Sequence, residues 1–288
     1  MKLIPTATAA DGFYQYAVNS KSDDNQYLAR GDYYKSDRHH LSARYFIDRL
    51  ISPALEDPAN LLTAFNQQTG SPNTNKTWAS HSGTFSDTLT LSPNLLTNTT
   101  LTFNRTFNIA FGPKFPSQDS FGINVPNLAH GPEIRTLIAG YFNVRYNNTY
   151  RIPRNQYNIQ HSWSWVHGRH EISWGVDLLR EQSILDADFE SVGRFDFAGR
   201  FSGDNLGDFI LGKPSAFTQV TPNYANLVRD LYGTYFQDNF KVSRRLTLNL
   251  GLRWNPFIPF TDVPNGLASR FDQAAYQAGV RSTRYPNL

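Results

Sequence analysis

Between Arg245 and Trp254 the chain alternates strictly: Leu246, Leu248, Leu250, Leu252 and Trp254 take the even positions, Arg245, Thr247, Asn249, Gly251 and Arg253 the odd ones. Side chains of an extended strand point to opposite faces with period 2, so this segment predicts a strand with one apolar and one polar face. The segment before it, Leu231 to Phe240, carries Tyr232, Tyr235, Phe236 and Phe240, and a basic turn at Val242-Ser243-Arg244-Arg245 joins the two. Strands of about ten alternating residues, aromatics near their ends and a short turn between them are the pattern of a transmembrane β-hairpin, here spanning Asp230–Phe257.

The pattern recurs. Tyr157, Ile159, His161, Trp163 and Trp165 alternate with Gln156, Asn158, Gln160, Ser162 and Ser164, and after the turn His167-Gly168-Arg169 a return strand sets Ile172, Trp174, Val176 and Leu178 against Glu171, Ser173, Gly175 and Asp177. A first hairpin pairs Gln26–Tyr34 with His40–Leu50, with Phe46 as an apolar intruder on its polar side. A second pairs Thr77–Phe85, a weakly patterned segment, with Asn94–Phe107 around a turn at Ser86–Pro93. Long polar connections separate the hairpins at Ser52–Lys76, Asn108–Asn147 and about Gln182–Asn226. Loops of that length are foreign to a compact soluble domain, whereas short turns alternating with long loops fit an outer-membrane barrel. Within the third, Gly203 to Gly212 predicts a short helix, with Asp204 at its N-cap, Gly212 closing it and Pro214 barring its continuation.

Composition narrows the picture. The 288 residues are 40% hydrophobic with no run of 18 apolar residues, which excludes a transmembrane helix but not a barrel, whose strands dilute their apolar half. The 14% aromatic content is high and suits interfacial girdles, as it would a soluble all-β core or a carbohydrate-binding surface. With no Cys there is no disulfide, thiolate metal site or Cys nucleophile. A net charge of +3, with arginines scattered rather than striped, gives no nucleic-acid footprint. Residues 1–10 open like a leader peptide but lack its apolar core.

Asp230-Leu-Tyr-Gly-Thr-Tyr-Phe-Gln-Asp-Asn-Phe-Lys-Val242 followed by Leu246 to Trp254 resembles the barrel of TonB-dependent outer-membrane receptors, most of all the Oar-like subgroup with its carboxypeptidase-regulatory-like domain. Supporting pieces are Tyr27 to Tyr33, Leu41 to Phe46, Trp163 to His170 and Leu206 to Gly212, so the resemblance runs from about residue 20 to 258. It implies the bacterial outer membrane, energised uptake of a scarce solute, no enzymatic activity and no cofactor. It also implies as partners the outer-membrane lipid, a plug domain and the rest of the barrel, with the TonB complex reached only through the plug. Because leader, TonB box and plug are not recognisable and the chain closes on Arg284 to Leu288 rather than on a terminal aromatic, residues 1–288 are expected to be a partial barrel of about 8–10 strands. Such a piece is expected as an open curved all-β antiparallel sheet or, alternatively, a small closed barrel.

The candidate chemistry is that of a wall. Gln156, Asn158, Glu171, Asp177, Asn249 and Arg253 would face the lumen if Trp163, Trp165, Trp174, Leu248, Leu250 and Trp254 face lipid, because an Arg at mid-bilayer on the outer face costs about 2–4 kcal/mol. Gly207 to Lys213 matches G-x-x-x-x-G-K, but Pro214 stands where a phosphate loop needs Ser or Thr, and a helix C-cap is the simpler reading. His167 and His170 read as turn residues, and Asp186, Asp188, Glu190 and Asp196 as a solvated acidic loop rather than an ion site. Two other functions stay open: a barrel whose loops bind glycans or other cells, and a soluble β-sandwich binding module.

Overall fold

The computed structural model describes residues 6–17, 19, 21–54, 60, 75–111, 118–128, 134–146, 149–188, 190–263 and 272–280. In chain order the strands are β1 (Asp23–Ser36), β2 (His39–Ser52), β3 (Asn75–Ser92), β4 (Leu95–Phe111), β5 (Ile134–Ile138), β6 (Phe142–Tyr146), β7 (Tyr150–His167), β8 (His170–Ala187), β9 (Arg194–Phe197), β10 (Ala216–Thr218), β11 (Asn223–Ser243), β12 (Leu246–Trp254) and β13 (Thr261–Asp262). Two short α-helices, α1 (Asn205–Ile210) and α2 (Gln273–Gln277), and a 3-10 turn over Gln118–Phe121 complete the described elements. None of the described helices is long and apolar enough to cross a membrane.

Eight strands form one antiparallel sheet in the order β1-β2-β3-β4-β7-β8-β11-β12, with β1 and β12 at open edges. Its register decides everything about its faces, because directly paired residues lie on the same side. One continuous row reads Asp32, Ser42, Ser86, Thr100, Gln160, Asp177, Gly233. The adjacent row, on the opposite face, reads Gly31, Ala43, Phe85, Leu101, Ile159, Leu178, Tyr232. The long sheet therefore has a polar and an apolar face from edge to edge. Aromatic pairs mark two levels of the apolar face: Trp163 stacks on Trp174 with centroids 5.5 Å apart near the short turns, and Phe103 meets Tyr157 at 5.3 Å farther out.

Several expectations need correction. The second hairpin turns at Pro93-Asn94, not across Ser86–Pro93, because β3 continues to Ser92 in register with β4. Strands exceed the ten residues that a membrane needs: β3, β7 and β8 have 18 residues each and β11 has 21. Two of the three long connections are folded, since β5 and β6 from one and β9 and β10 from the other make a four-stranded sheet in the order β10-β9-β5-β6. Most of the first connection, like residues 281–288, lies outside the described residues. The soluble sandwich fails as well, since among the described residues no second sheet packs on the long one.

The last hairpin ends unevenly. β12 stops at Trp254, Pro256 and Pro259 cannot donate to a ladder, and β13 then rejoins β11 at Leu227 and Val228 with the register displaced by one residue. Elsewhere the sheet closes small gaps with aromatics: Tyr235, directly opposite Gly175, lays its ring over that glycine. A Cβ at Gly175 would stand 2.7 Å from the His161 carbonyl oxygen and 2.7 Å from the Tyr235 ring. Gly175→Val is therefore expected to cost about 1–3 kcal/mol by overpacking, read as a lower urea midpoint in detergent. Gly31→Ala, where nothing lies within 4 Å, should leave the midpoint unchanged.

Candidate functional site

All six residues expected at the lumen share the polar face. Gln156 and Asn158 lie opposite Glu181 and Leu179, Asp177 lies opposite Gly233, and Arg253 lies opposite Tyr235. Asn239 stands between Glu171 on one side and Asn249 on the other. The other face holds Trp163 opposite Trp174, Trp165 opposite Ile172, Leu248 opposite Phe240, Leu250 opposite Asp238 and Trp254 opposite Thr234. The pairings thus set the first six residues on one side of the sheet and the other six on the opposite side.

Two acids organise the polar face. Asn158 Nδ2 donates to Asp177 Oδ1 at 2.5 Å and Gln160 Nε2 to Asp177 Oδ2 at 3.5 Å, while Arg253 Nη2 reaches the same carboxylate at 3.8 Å. Arg253 and Asp177 are two strands apart. Gly233 on the strand between them has no side chain to block the reach; a Cβ there would touch both, at 3.4 Å from Arg253 Nη2 and 3.4 Å from Asp177 Cβ. Farther from the short turns, Glu181 accepts from Gln156 at 2.7 Å and pairs with Arg229, whose guanidinium sits 4.3 Å from the Phe260 ring centroid. These pairings set opposite charges against each other within the wall.

The apolar face carries two polar pairs near the short turns. His39 Nε2 lies 2.8 Å from Asp87 and His170 Nδ1 lies 2.7 Å from Asp238. In each case the His opens the return strand and the Asp sits two residues along from its paired position. The register puts both acids on the side of the tryptophans.

Beyond the ends of the long strands the four-stranded sheet forms a cap with the segments around it, and these hold the largest fully buried side chains: Ile138 in β5, Gln118 in the 3-10 turn, Asp188, Ser191 and Val192 before β9, and Asp208 in α1. Its central pairing, β5 parallel to β9, joins the connection after β4 to the connection after β8. Phe209 of α1 meets Phe142 edge-on at 5.6 Å and Phe197 at 5.3 Å. Glu190, in the left-handed region with φ 57°, is ion-paired with Arg135 at 3.2 Å and accepts from Arg194 at 2.7 Å, and Arg194 also donates to Asp196 at 3.0 Å. Of the four acids, Glu190 and Asp196 are thus paired with arginines rather than solvated, and no group of three metal-ligating side chains occurs among the described residues.

Helix α1 starts as predicted: Asp204 accepts from the Gly207 amide at 2.7 Å. It ends at Gly212 with φ 65°, and the Lys213 amide donates back to the Asp208 carbonyl at 2.9 Å, which makes the phosphate-loop lookalike a helix cap. Tyr141 donates to Asp204 at 2.7 Å; that bond holds the Asp204 carboxyl below its ordinary range and raises the Tyr141 hydroxyl above its own. Asp208 is buried, which by itself raises a carboxyl, but the Ser202 hydroxyl at 2.8 Å and the amides of Ser202 and Phe201 outweigh burial and set it below its ordinary 3.8.

A family model described as "Outer membrane beta barrel domain" matches residues 1–287. Among solved structures, the outer membrane transporter YddB from Escherichia coli is similar at TM-score 0.53 and 13% identity, over 85% of this chain and 29% of that one. The likeness is one of fold, and the chain spans less than a third of that transporter's length. No curated protein matches the sequence.

A carboxyl lowered by folding stabilises above its ordinary value and loses that contribution as pH falls through the lowered one. Hydrogen exchange of the Phe201 and Ser202 amides, corrected for intrinsic rate, should thus stay protected down to pH 3.8 and lose protection below it. Asp208→Asn, which cannot change charge, should be less protected at neutral pH and nearly flat across the same range.

Proposed function

The chain belongs to the family of outer membrane beta barrel domains, and from that premise we propose that its polar face lines the solute passage of a TonB-dependent receptor of the Oar-like subgroup. The bacterial outer membrane is where that family resides. The observation that carries the reading is the unbroken polar row from Asp32 to Gly233, backed on the other face by an equally unbroken apolar row. In a bilayer only the arrangement with polar groups inward avoids exposing Asp177, Glu181, Arg229 and Arg253 to hydrocarbon.

The wall's part in uptake is physical. Asp177 and Glu181 are held by arginines and amides, so a polar solute meets a neutral, hydrogen-bonding surface rather than a fixed charge that would trap it. No covalent step is assigned to it. Gating falls to a plug acted on by the TonB complex, and the solute passes along the wall once the plug yields.

The sequence contains no Cys, so single-cysteine variants report one position each. In outer membranes, Asn158→Cys and Gln160→Cys are expected to react with a water-soluble maleimide, and Ile159→Cys and Leu178→Cys only with a lipid-soluble one; the reverse pattern would place the faces the other way round. Deleting the gene is expected to abolish protonophore-sensitive uptake of at least one solute in a panel of labelled oligosaccharides, peptides and iron chelates. Unchanged uptake together with lost attachment to glycan-coated surfaces would favour an adhesion role instead.

A further inference from the structure

The apolar face carries a row of arginines at one height. Counting from the residue that opens each return strand, Arg49 lies ten positions beyond His39, Arg105 ten beyond Leu95 and Arg180 ten beyond His170. Even spacing keeps all three on the side of Trp163 and Trp174. Ten residues at about 3.3 Å each, on strands tilted by roughly 40°, rise about 25 Å, the height of a barrel's apolar band. With the short turns on the periplasmic side, the row falls where the outer leaflet's hydrocarbon gives way to its headgroups.

The three are not equivalent. Arg180 is paired with Asp230 at 3.3 Å, whereas Arg49 and Arg105 form no ion pair among the described residues. Between these two the sheet is hollow, because Ala79 sits directly opposite Arg49 and leaves a groove of about 460 Å³ lined by Asn25, Tyr27, Ile47, Arg49, Ala79 and His81. Arg105 lies directly opposite His81 on the next strand, and the Phe107 ring is flanked by Arg105 at 5.8 Å and Arg151 at 5.7 Å. The nearest acid on this side of the β1–β2 pair, Asp23, faces Lys21 at 3.8 Å. Arg49 and Arg105 are about 12 Å apart along the sheet, from strand spacings of about 4.8 Å and a two-residue offset. Two guanidinium arms of that length can close on one phosphate, while Tyr27 and Ile47 offer the apolar flank that an acyl chain needs.

We propose that this groove binds the phosphorylated headgroup of an outer-leaflet lipid, with Arg49 and Arg105 on the phosphate, His81 and Asn25 at its edge and the acyl chains on the apolar face below. The inference rests on which face meets lipid, which the cysteine labelling reads separately; it is independent of the solute transported. Arg180 takes no part because Asp230 already occupies it.

Full-length protein purified in detergent is equilibrated with lipopolysaccharide, with the same lipid after enzymatic removal of its phosphates, and with inorganic phosphate, and bound lipid is measured by native mass spectrometry. Wild type is expected to bind the phosphorylated lipid and to lose it when the phosphates are removed. R49Q/R105Q is expected to bind roughly 30-fold more weakly, from about one kcal/mol per arginine at a headgroup surface, and R180Q like wild type. Equal binding of the dephosphorylated lipid overturns the proposal without recourse to any variant. Equal binding by R49Q/R105Q, an R180Q loss as large as theirs, or displacement of the lipid by millimolar inorganic phosphate overturns it too. Should R49Q/R105Q not fold, R49K/R105K keeps the charge without the guanidinium fork and is expected to bind at an intermediate level; binding equal to wild type would count against it.

Discussion

Hydrocarbon offers no partner to a backbone N–H or C=O, so every such group that crosses a membrane in extended form must be satisfied by a neighbouring strand. The long sheet follows from that demand. Seven consecutive pairings run without a crossover, and because each is antiparallel the period-2 alternation of one strand is copied in register onto the next. Polar and apolar rows that cross the whole sheet are the visible result. A slip of one residue between β7 and β8 would carry Asp177 to the side of Trp163 and turn Trp174 to the polar side, and this energetic penalty makes the register as specific as a packed core would.

Among the described residues no second layer packs on the long sheet, so it has no dry interior of its own. The buried side chains gather in the cap instead, where Ile138, Val192 and Phe197 provide the apolar centre. Arginine–carboxylate pairs are costly to bury unless their charges are shared out, and the Arg135–Glu190–Arg194–Asp196 knot places one acid between two guanidinium groups and one guanidinium group between two acids. The knot fixes the start of β9 against β5, and α1 then seats Phe209 between Phe142 and Phe197.

The membrane sheet was legible wherever one strand carried its own alternation, as at Tyr157–Trp165 and Leu246–Trp254. It faded at β3, whose apolar side includes Gly83 and His81; there the missing bulk comes from Tyr45 of the neighbouring strand, whose ring lies 3.4 Å from where a Cβ on Gly83 would be. Strand ends were missed because beyond the apolar band both faces are wet and the period vanishes. The hairpin of β5 and β6 had a readable signal, two short apolar segments around Ala139-Gly140, with φ 83° at Gly140. β9 and β10 had none, since strands of four and three residues exist only by virtue of a partner from another connection. The twelve wall residues could be sorted by face from parity alone. Which of them touch could not, because the Arg253–Asp177 contact depends on a register three strands wide and on a glycine in the middle one.

The parallel pairing of β5 with β9 couples Thr136 to Phe195 across the whole β7–β8 hairpin. Closing a loop of that length early would cost entropy with little return. The hairpin, whose contacts are local, is expected to form first and to bring the ends of both connections together, so the cap would assemble only on strands already aligned. A chain whose β7 and β8 paired out of register would leave Arg135 and Glu190 without each other, and its outer surface would stay open to proteases while the correctly inserted chain had already closed.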